Sequence, residues 1–266
     1  LTGGEPLLRE DLINRTKDIR SIANGLSIDT NGLLADYSIR KLLLTYYDQV
    51  NISVDGPKNV HDHLRRKVGA FETTIGNITK LIKEKRDLKA KTKICSTTVV
   101  TKLLDSSAVR HIVRTLSNIG IESMRFIPVM FKKEKSSDKE MYMLSSSSWH
   151  EISIMLLRMK KEYPQIEMNK KMARGIFNIF KRIEGINVES NKTIRCTAGE
   201  DQLFVDAYGN VWPCCILTHS SRVRGLSLIN ALKNSTRFTF TDVISMLANQ
   251  DEEVCNLCTI KYLSKV

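Results

Sequence analysis

Two rhythms of apolar residues alternate along the chain, one repeating every three or four positions and the other every two. Over residues 7–22, Leu8, Leu12, Ile19 and Ile22 recur at helical intervals with charges between them, and Asn24-Gly25 closes the pattern. Residues 26–30 read as a short strand running into an Asn31-Gly32 turn. A second helix is predicted over 36–47, with Asp36 as its cap. Apolar residues alternate from Val50 to Val54 in a strand that Gly56-Pro57 breaks. The helical rhythm returns over 60–85, after a polar start that contains His61, Asp62, Arg65 and Arg66. A strand at 94–100, a helix at 106–119 ending at Gly120 and a strand at 123–129 complete the series.

Strands that alternate with long helices signal parallel pairing through helical crossovers, and so an α/β fold, either a barrel or an open doubly wound sheet. After the fourth predicted strand the texture changes. Residues 132–139 are charged and Ser145 to Ser148 form a serine run, which marks a flexible connection. Helices are predicted over 148–162 and 169–183, where Met155, Met159, Met168 and Met172 read as core filler. From Cys196 onward the pattern is that of a small second domain. Leu203 to Asp206 and Val211-Trp212 flank Tyr208-Gly209-Asn210, a hairpin by turn chemistry.

At 266 residues, 42% hydrophobic, the chain can bury a real core. The 41 Lys+Arg against 29 Asp+Glu leave a formal net charge of +12, but the cations sit on helical faces such as Lys80 to Arg86 and form no basic tract interleaved with aromatics. A nucleic-acid partner is therefore not expected. No run of 18 apolar residues is present, so no membrane span is expected either. Six cysteines are too few for a disulfide scaffold at this length, and metal ligation in a reducing cytoplasm fits them better.

Two stretches carry candidate chemistry. Gly3-Gly4-Glu5-Pro6 combines paired glycines, which let a small ligand approach the main chain, with a proline suited to the first position of a helix. Cys196 and Cys214 bracket the predicted hairpin, while Cys255 and Cys258 form a Cys-x-x-Cys turn that places two sulfurs within reach of one centre. Thiolates of this kind bind iron–sulfur clusters or zinc. Cys95 lies in an apolar strand and reads as a small buried hydrophobe, and Cys215 is a spare beside Cys214. Asp201 and Asp206 near the hairpin read as surface carboxylates, and His61 has no assigned role beyond a possible helix cap.

Taken together, these residues resemble the radical S-adenosylmethionine enzymes that carry a C-terminal SPASM or twitch-type auxiliary-cluster domain, over nearly the whole chain. Gly3-Gly4-Glu5-Pro6 looks like the family's GGEP motif at the end of the second barrel strand, and Thr30-Asn31-Gly32 like the TNG that ends the third. Ser53-Val54-Asp55-Gly56, followed by His61-Asp62 and Arg65, is similar to the fourth-strand segment. Cys196, twelve residues, Gly209, four residues and Cys214 fit the opening spacing of the SPASM signature, and Cys255-x-x-Cys258 its next element.

The resemblance implies a partial (β/α)6 TIM-like barrel over 1–145, connecting helices over 146–190 and an α+β SPASM/twitch domain over 191–266. It implies S-adenosylmethionine held by Gly3, Gly4, Glu5, Pro6, Ser53, Asp55 and Arg65, with Ser53 and Arg65 on the methionine carboxylate. It also implies one auxiliary [4Fe-4S] cluster on Cys196, Cys214, Cys255 and Cys258, because only eight residues follow Cys258. The Cys-x-x-x-Cys-x-x-Cys loop of the family's radical cluster is absent from the sequence. That loop and the first strand are therefore expected upstream of Leu1, and this chain alone is expected to be inactive. The implied activity of the intact protein is generation of a 5′-deoxyadenosyl radical that abstracts a substrate hydrogen, with electrons from a donor such as flavodoxin or ferredoxin. A peptide or protein is the leading substrate, a small cofactor precursor or carbohydrate the second. A non-catalytic cysteine-metal protein is the alternative from another class.

Overall fold

The computed structural model describes residues 1–129, 137–188, 203–212 and 226–227. The chain divides into two compact units, Leu1–Ala173 and Arg174–Val266. In the first, a 3-10 turn at Pro6–Leu8 leads through α1 (Leu12–Ile22), β1 (Ser27–Thr30), α2 (Tyr37–Tyr46) and β2 (Gln49–Ser53). Then follow α3 (Lys58–Arg65), α4 (Ala70–Asp87), β3 (Lys93–Val100), α5 (Ser106–Ile119) and β4 (Ser123–Pro128). The unit continues with α6 (Ser137–Tyr142), α7 (Ser146–Met159), β5 (Ile166–Glu167) and the start of α8 (Lys170–Ile183). Two of the predicted caps are present: the Asp36 carboxylate accepts the Ile39 N–H at 2.9 Å, and Gly120 ends α5 in the left-handed region, whereas α1 is capped at Ala23, just before the predicted Asn24-Gly25.

The predicted 60–85 helix is broken in two. Arg66 takes a left-handed conformation at φ 53° and Gly69 another at φ 79°, so the chain turns a corner between α3 and α4. Asp62 holds the corner by accepting the Gly69 N–H at 2.9 Å and the Phe71 N–H at 2.8 Å. These bonds satisfy donors at the start of α4 that have no partner within the helix.

Five strands form one parallel sheet in the order β1-β2-β3-β4-β5, each beside its neighbour in sequence, without the reversal of a doubly wound fold. The fifth strand, only two residues long, pairs Ile166 with Met124 and Glu167 with Arg125. It is not announced by the hydrophobic pattern. Side chains alternate across the sheet. Ile28, Val50, Ile52, Ile94, Met124, Phe126 and Ile166 are buried, and helices α1 and α2, α2 and α4, α4 and α5, α5 and α7 touch one another. The other face is polar. The register lines up Asp29, Asn51, Cys95 and Ser123 in one cross-strand row, and Ser53, Thr97, Arg125 and Glu167 in the next. Parallel sheets usually carry apolar residues on both faces. A polar row toward the carboxyl ends of the strands instead marks a face that meets water or a ligand.

Cys95 is buried, as expected, and burial pushes its thiol up to about 11. Met155, Met168 and Met172 are buried core residues, as the sequence predicts, whereas Met159 is only half-buried. Trp149 is fully buried and donates its indole N–H to the Ala173 carbonyl at 3.2 Å.

In the second unit, β6 (Phe204–Val205) and β7 (Asn210–Trp212) form the predicted antiparallel hairpin, and β8 (Leu226–Ser227) pairs antiparallel with β7. Asp206 is the hairpin's fastener. Its carboxylate accepts the Tyr208 and Asn210 N–H groups, the Asn210 side-chain amide and the Trp212 indole, each at 2.9 Å. Desolvation pulls its pKa up, but the bonds from Asn210, Trp212 and Tyr208 outweigh it and hold the carboxyl at about 2. Asp201 and most of 132–139 lie outside the described residues. Among the described residues, no helix is long and apolar enough to cross a membrane.

Candidate functional site

The glycine pair sits at the edge of the sheet. Leu1 donates to the Ser27 carbonyl at 2.5 Å and accepts the Asp29 N–H at 2.9 Å, which places its backbone in parallel-ladder position beside β1. Gly3 at φ 92° and Gly4 at φ 44° follow, and no heavy atom lies within 4 Å of where a Cβ would stand on either. Their backbone is open to a ligand in a conformation that L side chains rarely adopt.

Glu5 ties this turn to the next strand. One carboxylate oxygen accepts the Leu7 N–H at 3.1 Å and the Thr30 hydroxyl at 2.7 Å, and the other accepts the Asn31 N–H at 2.7 Å. The family resemblance implies Glu5 as a cofactor contact; the geometry gives its carboxylate three donors from the chain itself. Thr30 then accepts the Gly32 N–H, and Asn31 the Leu33 N–H, so the Thr30-Asn31-Gly32 turn and the Gly3-Gly4-Glu5-Pro6 turn are one hydrogen-bonded body. Pro6 starts the 3-10 turn and is buried.

The end of β2 supplies the opposite group. Ser53 stands half-buried on the polar face, and among the described residues its hydroxyl has no partner. Asp55 is buried in the turn into α3, where one oxygen accepts the Val99 N–H at 3.2 Å and the other pairs with Arg65 Nη2 at 2.5 Å. Asp55 thus holds Arg65 rather than facing outward. The Arg65 Nε is buried and, among the described residues, a donor without an acceptor.

His61 also belongs to this corner, in a role the sequence does not reveal. It is fully buried, and its Nδ1 accepts the Asp55 N–H at 3.0 Å, while Nε2 has no partner among the described residues. Burial lowers its pKa against the pull of Asp55, with Arg65 pushing the same way as burial and Asp62 opposing. The helix cap suggested for His61 is made by Asp62 instead. A histidine two positions beyond Pro57-Lys58-Asn59 looks like a surface residue, and only its i, i+4 spacing to Arg65 hints that both face the sheet.

The polar sheet face adds Arg125 and Glu167. Arg125 Nε donates to Glu167 at 2.9 Å, and Ser123 bonds the same carboxylate. Desolvation would raise the Glu167 pKa, but Ser123 and Arg125 bring it below the ordinary range, so the pair is ionic. The sequence signal for this pair is weak, since Glu167 lies in a strand of two residues.

These groups fit the methionine end of S-adenosylmethionine. Open glycine backbone can receive an ammonium through its carbonyls, and a free hydroxyl together with an orphan guanidinium donor can receive a carboxylate. The cysteine set is a different matter. Cys196, Cys214, Cys215, Cys255 and Cys258 lie outside the described residues, and among the described residues no three His, Cys, Asp or Glu side chains gather as a metal set.

No family model matches the chain. It is 25% identical over 227 residues to the AdoMet-dependent heme synthase of Methanosarcina barkeri, a match covering 80% of this chain and 61% of that protein. It is 28% identical over 133 residues to the GTP 3′,8-cyclase of Aquifex aeolicus, covering 49% of this chain and 39% of the relative. The fold is similar to that of Streptococcus suis SuiB solved with S-adenosylmethionine, at a TM-score of 0.62 and 12% identity over 86% of this chain and 53% of that one. With SuiB bound to the precursor peptide SuiA the TM-score is 0.61 at 13% identity, over 95% and 54% of the two chains. The chain thus spans 61% of the length of the heme synthase and less of the cyclase. The likeness to the solved structures shows the fold, an α/β fold built on a parallel sheet.

Proposed function

We propose that this chain is the cofactor-holding part of a radical S-adenosylmethionine enzyme, its five-stranded sheet forming part of a (β/α)6 barrel that an auxiliary-cluster domain follows in the chain. The reading rests on one observation: open glycine backbone at Gly3-Gly4 follows a segment laddered onto β1, and the Ser53, Asp55 and Arg65 corner lies at the carboxyl end of β2 on the other side of β1. Strand carboxyl ends are where parallel α/β folds place their chemistry. When bound beside a reduced [4Fe-4S] cluster, S-adenosylmethionine supplies a 5′-deoxyadenosyl radical. The chain's own residues bind and orient: Gly3 and Gly4 offer carbonyls to the ammonium, and Ser53 and Arg65 donate to the carboxylate. Glu5 keeps the two turns in register, while Asp55 fixes Arg65. Cys196, Cys214, Cys255 and Cys258 are assigned to one auxiliary [4Fe-4S] cluster, with flavodoxin or ferredoxin as electron donor in the cytoplasm.

A peptide or protein is the first substrate reading, supported by the likeness in fold to a protein solved with a precursor peptide. A small cofactor precursor is the second, favoured by the sequence relatives, whose names are a heme synthase and a GTP cyclase. The test is direct. The protein carrying this chain, reconstituted anaerobically with iron and sulfide, is given S-adenosylmethionine and a reductant. 5′-Deoxyadenosine should form, and its absence sinks the radical reading. The same preparation should be brown, and substituting all four assigned cysteines by alanine should remove one cluster's worth of iron and sulfide. A colourless protein with one zinc would replace the auxiliary cluster with a structural metal.

A further inference from the structure

We infer that His61 is the positioning residue of the carboxylate-binding corner, its unprotonated Nδ1 fixing the Asp55 backbone so that Asp55 holds Arg65 toward the cofactor carboxylate. The inference rests on the reading of Arg65 given under Proposed function. It starts from a buried imidazole with one bonded and one orphan nitrogen. A ring nitrogen that accepts a hydrogen bond carries no proton, so the 3.0 Å bond from the Asp55 N–H fixes the tautomer, with the proton on Nε2. That proton has no acceptor among the described residues, and the ring is wholly buried. Burying an orphan donor is unfavourable, and a leucine would fill the space without it. What a leucine would lack is an acceptor for the Asp55 N–H.

The geometry shows why that acceptor matters. His61 and Arg65 are four residues apart on α3 and so share one face of the helix. From that face the histidine grips the Asp55 main chain and the arginine grips the Asp55 carboxylate. On the other side the turn is held to β3, through Val54 N–H to the Thr97 carbonyl at 3.0 Å, the Thr98 hydroxyl to the Val54 carbonyl at 2.7 Å and the Val99 N–H to Asp55. Phe71 of α4 packs edge-on against the imidazole at 5.9 Å between ring centres. Without the Nδ1 acceptor, Asp55 keeps its tie to β3 but its main chain is free to turn, and the direction of Arg65 turns with it. Desolvation of the ring keeps it neutral near pH 7, which the acceptor role requires.

Asparagine and glutamine separate this role from mere packing, because the asparagine amide oxygen takes the place of Nδ1 whereas the glutamine amide lies out at Nε2. Equilibrium dialysis on the reconstituted full-length protein would measure binding of S-adenosylmethionine and of its decarboxylated analogue. His61→Gln should lose about tenfold or more of the preference for the carboxylate-bearing ligand, a loss expected when a charged donor is misdirected. Affinity for the decarboxylated analogue should stay at the wild-type value, which also shows that the variant is folded. His61→Asn should restore the preference, and Arg65→Ala should abolish it. The inference is overturned if His61→Gln keeps the preference while Arg65→Ala loses it, if both ligands weaken together, or if His61→Asn fails to differ from His61→Gln. Should the wild type show no preference, or Arg65→Ala retain it, the carboxylate reading itself falls, and the inference with it.

Discussion

At the scale of single residues, the site is built from main-chain geometry more than from reactive side chains. Gly32 shows this. It closes the turn after β1 at φ 72°, and a Cβ there would stand 2.8 Å from the Ile52 Cγ2 and 3.3 Å from the Thr74 Cγ2. Both neighbours are β-branched and cannot swing aside as a long chain end would. Gly32→Ala should therefore destabilise the first unit by about 1–3 kcal/mol through backbone strain and overpacking, read as a lower denaturation midpoint at an unchanged slope. A variant as stable as the wild type would show that the turn is not held against Ile52. The open Gly3-Gly4 turn and the Pro6 start of the 3-10 turn are legible in the sequence because only those residue types suit that backbone, whereas Ser53 and Arg65 are expected at the site through the family resemblance. What is not legible is who satisfies whom. Glu5 and Asp55 read as ligand contacts, yet their oxygens meet donors far along the chain, at Asn31 and Val99. Those distances in sequence are set by the sheet register, which no local pattern carries.

At the scale of elements, periodicity places most of the first unit and misses two features for physical reasons. The α3–α4 break has no proline to announce it; the corner is made by Arg66 and Gly69 in left-handed conformations and by the Asp62 carboxylate. The second miss, β5, is too short for its alternation to show, and its pairing with β4 is a property of the sheet. The hairpin of the second unit is legible from Tyr208-Gly209-Asn210, but its fastener is not. Asp206 accepts four hydrogen bonds, two of them from side chains. In Asp206→Asn one oxygen becomes an NH2 group facing the Asn210 amide and the Trp212 indole, both donors. Hydrogen exchange at the Tyr208 and Asn210 amides and at the Trp212 indole should then quicken by about tenfold or more, while α4 and α5 exchange as before. Unchanged protection at the indole would show that Asp206 does not fasten the turn.

For the whole molecule, titration sets the pH range over which the Asp55–Arg65 corner can stand. His61 is neutral and buried in the folded chain, with a pKa below its ordinary 6.5, so the native state binds fewer protons there than the unfolded state. Stability contributed in this way is complete above pH 6.5 and is lost as pH falls from 6.5 toward the folded value. Desolvation does most of this, and the neighbouring Arg65 adds to it, whereas Asp55 and Asp62 pull the other way. Growing positive charge on a chain already at +12 deepens the acid limb further down. Cys95 closes the other side. Burial raises its thiol from the ordinary 9.0 to about 11, so stability is complete below 9 and falls as pH rises from 9 through 11. Thermal melts across pH 4–11 should trace a plateau between roughly 6.5 and 9 with a falling limb on each side. In His61→Asn the first part of the acid limb, from 6.5 downward, should flatten; in Cys95→Ala the alkaline limb should. A His61→Asn curve that still bends at 6.5 would place the acid limb's origin elsewhere. It would also remove the neutral imidazole from the account of why the Asp55–Arg65 pair is fixed at physiological pH.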